Sequence, residues 1–542
     1  MVCLEWMSLR FQIPEIPEEE RTPIISVLME VIEQQSALIQ HQVEVIQQLK
    51  DEIARLKGQK PKPQIRPSQL EKESKREESS SEKRPVSEKR SKTAQLVIDE
   101  TIRIAPESIP PGSVFKGCQP YTVQGLEIRP HNIRYLLERW KAPDGTYLVG
   151  QLPPEVQGHF SSTLSSYILY QYYHCHVTQP LLLEQLREWG VDISSGQLNR
   201  ILIAGKDIFH EEKDGVLSVG LKVSSYINVD DTGARHAGKN GYCTHIGNEL
   251  FAWFQSAERK SRVNFLKALR TGYRDYVIDD NALEYMRMQR FPRYLLSRFE
   301  PQGKRLFFSE ATWQRHLEEL GISSSPHVRT ATEGALLGSV LFHGLSKDLV
   351  IVSDDASQFH VLNHALCWIH AERTINNLIP STEEQREAVD KVREQIWQFY
   401  DELKEYKVRP SERKRWQLEA RFVEIFSQKT AYGTLNMALK PIYKNKKKLL
   451  RVLERPEIPL HNNLSENDLR EYVKRRKVSG STRSEAGRRC RDTFTSLKKT
   501  SRKLGISFWH YLNDRICQKN CIDNLSTIIY HRATAPGCAH PK

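Results

Sequence analysis

The stretch Lys222-Val223-Ser224-Ser225-Tyr226-Ile227-Asn228-Val229-Asp230-Asp231-Thr232-Gly233 decides how the fold is read. Its first eight residues carry β-branched and aromatic side chains and run into two acids, the pattern of a strand that delivers a carboxylate. A Gly/Lys/Asn turn follows, then Tyr242 to Gly247, then Leu250-Phe251-Ala252-Trp253-Phe254. Three strands joined by short turns predict an antiparallel meander with an acid at the end of its first strand. Alternation along that strand puts Asp230 on the face of Tyr226 and Asn228, and Asp231 on the side of Ile227 and Val229. Asp230 is therefore the better ligand candidate.

Two further units repeat the theme. Asp348-Leu349-Val350-Ile351-Val352-Ser353-Asp354-Asp355 is a second strand followed by acids, and a helical stretch is expected from about Gln358 through Cys367-Trp368-Ile369-His370 to Asn377. His461-Asn462-Asn463-Leu464-Ser465-Glu466-Asn467-Asp468-Leu469-Arg470 opens a helix. Asp230, Asp354 and Glu466 are 124 and 112 residues apart in the chain. Cleavage of a phosphodiester by two magnesium ions needs hard oxygen ligands around ions about 3.5–4 Å apart. Acids at the ends of neighbouring strands, with one from a nearby helix, can meet at such a point. Each acid alone has an ordinary structural reading: aspartate after a strand is a common turn residue, and Glu466 is placed to partner Asn463 in a capping box.

The charge around these acids narrows the partner. From His461 to Leu504 thirteen Lys/Arg face five Asp/Glu, so Glu466, Arg470 and Lys474 share one helix face with cations suited to DNA phosphates. The whole chain has 542 residues and a formal charge of +13, which points to several domains and a polyanionic partner. With 39% apolar residues and no long apolar run, the chain is expected to be soluble and cytoplasmic, with no membrane partner. Nine scattered cysteines are expected to be reduced thiols rather than a disulfide framework.

Towards the start of the chain three segments differ in character. Residues 24–57 place Ile25, Ile32, Ile39, Ile46 and Ile53 at successive a positions, with Leu28, Leu49 and Leu56 at d, predicting a coiled-coil oligomerisation helix. Residues 58–95 read as a disordered basic linker; twelve Lys/Arg against six Glu lie between Lys57 and Lys92, with almost nothing apolar. Residues 96–217 are expected to be a helical DNA-binding region. Within it, 179–204 reads as helix, Gly190 as its C′ stop, a short connection, and a second helix capped by Ser194. This is the helix-turn-helix pattern, with Gln197, Asn199 and Arg200 offered to a groove; an ordinary helical hairpin shares each of these features. Residues 378–456, rich in Glu, Lys, Arg and Gln with recurring apolar positions, predict a helical insertion whose basic end, Lys444 to Arg451, is suited to DNA.

At these residues the chain resembles the transposases of the insertion-sequence-66 family, which carry a DDE triad on an RNase H-like fold. Asp230-Asp231-Thr232 is similar to the family's Asp-Glu-Thr, Ser353-Asp354-Asp355 to its Ser/Ala-Asp-Gly, and Cys367-Trp368-Ile369-His370 to its Cys-Trp-Ala-His. Asn462-Asn463-Leu464-Ser465-Glu466-Asn467-Asp468-Leu469-Arg470 resembles the family's Asn-Asn-x-x-Glu-Arg-x-Leu-Arg, and Arg476-Lys477 and Gly480-Ser481 its downstream element. Asp231, Asp355 and Asn467 stand where the family has Glu, Gly and Arg, and residues 268–340 look like an insertion. Only Cys118 lies where family members place zinc-binding Cys-x-x-Cys pairs, so zinc is not expected.

The resemblance implies an α/β chain whose RNase H-like catalytic core, a mixed five-stranded sheet flanked by helices, spans 218–377 and 457–504, followed by a C-terminal tail at 505–542. It implies a bacterial, nucleoid-associated DNA transposase that cleaves transposon ends and transfers the 3′-hydroxyl into target DNA. Asp230, Asp354 and Glu466 would be catalytic and would bind two Mg2+, for which Mn2+ can substitute. Gln197, Asn199, Arg200, Arg470, Lys474, Arg476 and Lys477 would contact DNA, and Cys367 and His370 would support the site. Double-stranded DNA, a second copy of the chain and accessory transposition proteins are the partners implied. An inactive or regulatory DNA-binding relic and an RNase H-like nuclease are the alternatives.

Overall fold

The computed structural model describes residues 97–153, 156, 158–299 and 303–535. The predicted coiled coil at 24–57 and linker at 58–95 lie outside the described residues. In chain order the strands are β1 (Arg139–Lys141), β2 (Tyr147–Val149), β3 (Tyr226–His236), β4 (Lys239–Gly247), β5 (Ala252–Ala257), β6 (Tyr276–Ile278), β7 (Arg305–Phe307), β8 (Val350–Ser353) and β9 (Asn363–Leu366). The first helices are α1 (Ser162–Leu169), α2 (Gln179–Glu188), α3 (Ser195–Ile203) and α4 (Asp207–Val223). Between β5 and β8 lie α5 (Arg262–Leu269), α6 (Asp280–Met288), α7 (Arg293–Leu296), α8 (Glu310–Glu319) and α9 (Ser325–Phe342). After β9 come α10 (Trp368–Asn376), α11 (Glu383–Val408), α12 (Glu412–Ser427), α13 (Gly433–Lys444) and α14 (Lys446–Leu449). The chain then runs through α15 (Asn463–Ser479), α16 (Glu485–Lys503), α17 (Phe508–Ile516) and α18 (Leu525–Thr534).

A mixed five-stranded sheet in the order β5-β4-β3-β8-β9 forms the centre, flanked by helices, as an RNase H-like core requires. The β3–β4–β5 meander is antiparallel, whereas β8 runs parallel to both β3 and β9. All four residues of β8, Val350 to Ser353, are buried, which is why that strand reads as a continuous apolar run rather than an alternating one. The two faces of β3 bury against different partners. Ile227 and Val229 join the large core formed with Ile246, Phe251, Ile351 and the helices behind the sheet. Ala234 instead packs with Leu469 and Tyr472 of α15, and Tyr226 with Val350, Val352 and Ile458.

The free edge of β5 is closed by a helix rather than by another strand. Ser496 Oγ accepts from Phe254 N at 2.9 Å and Asp492 Oδ2 from Ser256 N at 2.7 Å, while Thr500 Oγ1 both accepts from and donates to Ala252 at 3.1 Å. Residues 492, 496 and 500 lie four apart on α16, so one helical stripe meets the alternating backbone groups of one strand. This satisfies an edge that would otherwise invite pairing with another chain.

Several expectations need correction. Asp230 does not end its strand: β3 continues to His236, because Asp230 to His236 pair with Lys239 to His245 of β4. The helix expected from Gln358 begins only at Trp368, and Asn363–Leu366 is instead the fifth strand, paired with β8. A four-residue strand has no periodicity of its own to reveal it; its hydrogen bonds come from a neighbour. The helices expected over 96–217 begin at Ser162; residues 97–153 contain only the exposed β1–β2 hairpin. The C-terminal tail carries α17 and α18, the latter packed on α4. Residues 179–203 do form two helices, with Gly190 at φ 84° just past the first and Ser194 Oγ accepting from Gln197 N at 3.2 Å. Among the described residues no helix is long and apolar enough to cross a membrane.

Candidate active site

Register alone brings two of the acids together. Tyr226 pairs with Val350 and Asn228 with Val352 across parallel strands, so continuing the same alignment sets Asp230 opposite Asp354. Neighbouring strands are about 4.8 Å apart. Alternation puts both on the face that carries α15, since Tyr226, Val350 and Val352 share one cluster there. The consequence is electrostatic. Burial, and then the charge of Asp354, push the Asp230 carboxyl up to about 7, with smaller contributions from Asp231 and Glu466.

The neighbouring Asp231 is spent on structure. Its carboxylate accepts from the Thr244 hydroxyl across the β3–β4 ladder and from Gln358 Nε2 at 2.8 Å. Asp230 keeps one local partner, the Asp231 amide at 2.7 Å. Asp354 begins a turn, its Oδ1 accepting from Ala356 N at 3.1 Å. Ser353, which donates to the Asp354 carbonyl, is itself bonded to His364 Nε2 at 2.7 Å.

Glu466 arrives on α15, and Asn462 determines where that helix starts. Fully buried, Asn462 donates from Nδ2 to the Val229 carbonyl at 2.9 Å and accepts at Oδ1 from Asn228 Nδ2 at 2.9 Å. Its own N–H donates to Cys367 Sγ at 3.2 Å. One residue thus ties the start of α15 to the residue before Asp230 through its side chain and to the start of α10 through its backbone N–H. Burial pushes the Cys367 thiol up to about 12, so it stays a neutral packing and accepting group. Glu466, one turn along, has Oε1 3.6 Å from Arg373 Nη1 and 3.9 Å from His370 Nε2. That oxygen is buried and makes no hydrogen bond among the described residues. Asp468 on the same helix serves differently, held in its charged form by His245, Lys503 and Lys499 at 3.2, 2.9 and 3.2 Å.

The donor set suits a hard cation. Asp230, Asp354 and Glu466 offer carboxylate oxygens only, Asp230 is raised by burial and then by the charge of Asp354, and a buried Glu466 oxygen lacks a hydrogen bond. By chemistry these residues fit a divalent metal. Among the described residues, however, no three His, Cys, Asp or Glu side chains are already gathered at ligand distance, and Glu466 leans on Arg373 and His370 instead.

The remaining site residues divide in two. Arg470, Lys474 and Lys477 are exposed along α15. Arg476 is half-buried and donates to the Gly233 carbonyl, so it clamps α15 to β3. Gln197, Asn199 and Arg200 sit on α3, which packs against α16 and not on the acids' face; Asn199 Oδ1 accepts from Gln179 Nε2 at 3.0 Å. Asn228, Asn462, Arg373 and Gln358 were not singled out from the sequence. The one available signal was Asn228 itself, a polar residue on the Asp230 face of a strand whose other face carries Ile227 and Val229.

The family model "Transposase IS66 family" matches residues 343–489, a span that contains Asp354, Cys367, His370 and Glu466. An uncharacterized protein of Sinorhizobium fredii, y4jO, is 46% identical over 303 residues, which is 56% of this chain and 94% of that protein. On this match and this relative, the chain belongs to the IS66 family of transposases.

Proposed function

We propose that the chain is a DNA transposase in which Asp230, Asp354 and Glu466 hold the metal ions for cleavage and strand transfer. The observation that supports this reading is the parallel register of β3 and β8, whose continuation sets Asp230 opposite Asp354, with Asn462 anchoring the glutamate-bearing helix to the same strand. Bound Mg2+ or Mn2+ would polarise the scissile phosphate and lower the pKa of the attacking hydroxyl. The protein's own share is positional. Asp230 and Asp354 present oxygens from adjacent strands, and Glu466 must exchange Arg373 and His370 for the metal. Arg470, Lys474 and Lys477 line α15 with positive charge for the backbone, and the α2–α3 helix pair offers Gln197 and Arg200 as a separate DNA contact. Double-stranded DNA is the partner, with self-association through the predicted coil.

Asp230→Asn, Asp354→Asn and Glu466→Gln in the full chain should each abolish cleavage of DNA carrying the element's ends, in Mg2+ or Mn2+, while DNA binding persists. Asp231→Asn, which replaces one of the two oxygens that accept from Thr244 and Gln358, should retain more activity. Cleavage surviving any of the three would refute the assignment. A second reading, a DNA-binding relic, is favoured by the contact of Glu466 with Arg373 and His370; a wild-type chain that binds but never cuts would establish it.

A further inference from the structure

Five carboxylates crowd the acids' end of the sheet: Asp230, Asp231, Asp354, Asp355 and Glu466. A DNA phosphate brought there meets like charge from every side, so the approach needs positive charge fixed close by. Asp355 shows where that charge is held. Its carboxylate accepts from Asn445 Nδ2 at 3.2 Å, lies 3.1 Å from His360 Nε2 and pairs with Lys448 Nζ at 3.8 Å. Asn445 is the junction between α13 and α14, and Lys448 belongs to α14. The same junction is held from the other side by Trp368, whose Nε1 donates to the Leu449 carbonyl at 3.0 Å. The helical insertion is therefore fastened to the turn that bears Asp354, through the Asp355 side chain.

The fastened edge is strongly basic. Lys444, Lys446, Lys447 and Lys448 fall within five residues. Lys448 is used on Asp355, whereas Lys444, Lys446 and Lys447 have no acidic partner among the described residues. Lys447 is exposed and Lys446 half-buried. A basic run that served only solubility would not need to be tied to a carboxylate adjoining the site.

We propose that Asp355 is a positioning residue that locks this basic edge beside the catalytic acids, where Lys446 and Lys447 hold backbone phosphates of the DNA strand being processed. The inference rests on the DNA-processing reading above. Phosphate contacts are independent of base sequence, so any duplex engages the edge, and end-bearing DNA brings the reacting strand to it.

The test uses the full chain and end-bearing duplex DNA, with acetylation of lysines read by mass spectrometry. DNA should shield Lys446 and Lys447. Lys446→Ala/Lys447→Ala should reduce the slope of log affinity against log salt by about 1.8, roughly 0.9 for each phosphate that is no longer neutralised. It should raise KM for DNA several-fold and leave kcat within about twofold, the sign of weakened uniform binding. Asp355→Asn should raise KM in the same direction without changing the thermal melt of the core, and Asp355→Glu should restore part of the loss. Equal acetylation of both lysines with and without DNA overturns the inference, as does an unchanged salt slope in the double variant. A wild-type chain that shields both lysines yet cuts nothing would refute the strand-transfer reading and leave this one standing.

Discussion

Asn462→Ala tests the joint that delivers Glu466 to the sheet. The substitution removes the partner of the Val229 carbonyl and of Asn228 Nδ2, both bonded at 2.9 Å and both in a buried environment. A buried polar group left unpaired costs about 1–3 kcal/mol, so two such groups predict a loss of about 2–6 kcal/mol. Urea denaturation of the full chain, followed by tryptophan fluorescence, measures this. A double-mutant cycle with Asn228→Ala should give a coupling of about 1 kcal/mol, because the second substitution removes a donor that the first has already stranded. Cleavage should fall further than stability accounts for at a temperature where the variant remains folded, since Glu466 is only one helical turn from the joint. Asn462→Asp should be worse than alanine for activity: it turns a donor towards the Val229 carbonyl into an acceptor and adds negative charge beside Asp230. A stability change below about 0.5 kcal/mol in Asn462→Ala, within the range of an ordinary surface substitution, would refute the joint.

Other consequences can be checked more simply. Glu471, bonded to His176 at 2.8 Å and to Lys498, is held well below the usual glutamate range, His176 contributing most. Its folded pKa lies below the unfolded one, so its stabilisation is present above about pH 4.5 and is lost as pH falls towards the folded value; Glu471→Gln should flatten that acid limb in a pH series of melts. Gly338 in α9 lies against β6 so closely that a Cβ would be driven into the Val277 carbonyl. Gly338→Ala should therefore lower the melting temperature, although alanine favours an exposed helix by about 1 kcal/mol; a rise would refute the close packing. The coiled coil expected from the sequence at 24–57 predicts that Ile39→Lys dissociates the chain in sedimentation without changing the melt of the core, because an unpaired charge at an a position is costly.

The local chemistry of this protein was legible in its sequence. Strands β3, β4, β5 and β8 betray themselves by β-branched runs between turn residues, and α15 by its opening polar cluster. The three acids stand out because each belongs to such a unit. The Asp230-over-Asp231 choice also follows from local geometry, since alternation along one strand decides which side chain faces the core. These signals reach only two to four residues along the chain, the repeat of a strand or a helical turn.

What the tertiary structure decided lies beyond that reach. β9 is a strand only because β8 lies beside it, and it displaced an expected helix. The closure of β5 by Asp492, Ser496 and Thr500 depends on α16 crossing an edge more than 230 residues earlier in the chain. Asn228 and Asn462 look like two unremarkable amides until a separation of 234 residues closes to a hydrogen bond of 2.9 Å. Arg476 reads as a DNA contact from its charge, and clamps α15 to β3 because the Gly233 carbonyl is within its reach. In each case the partner, not the residue, sets the role. Residue type limits which bonds a side chain can make, and only the folded chain determines which of them are made.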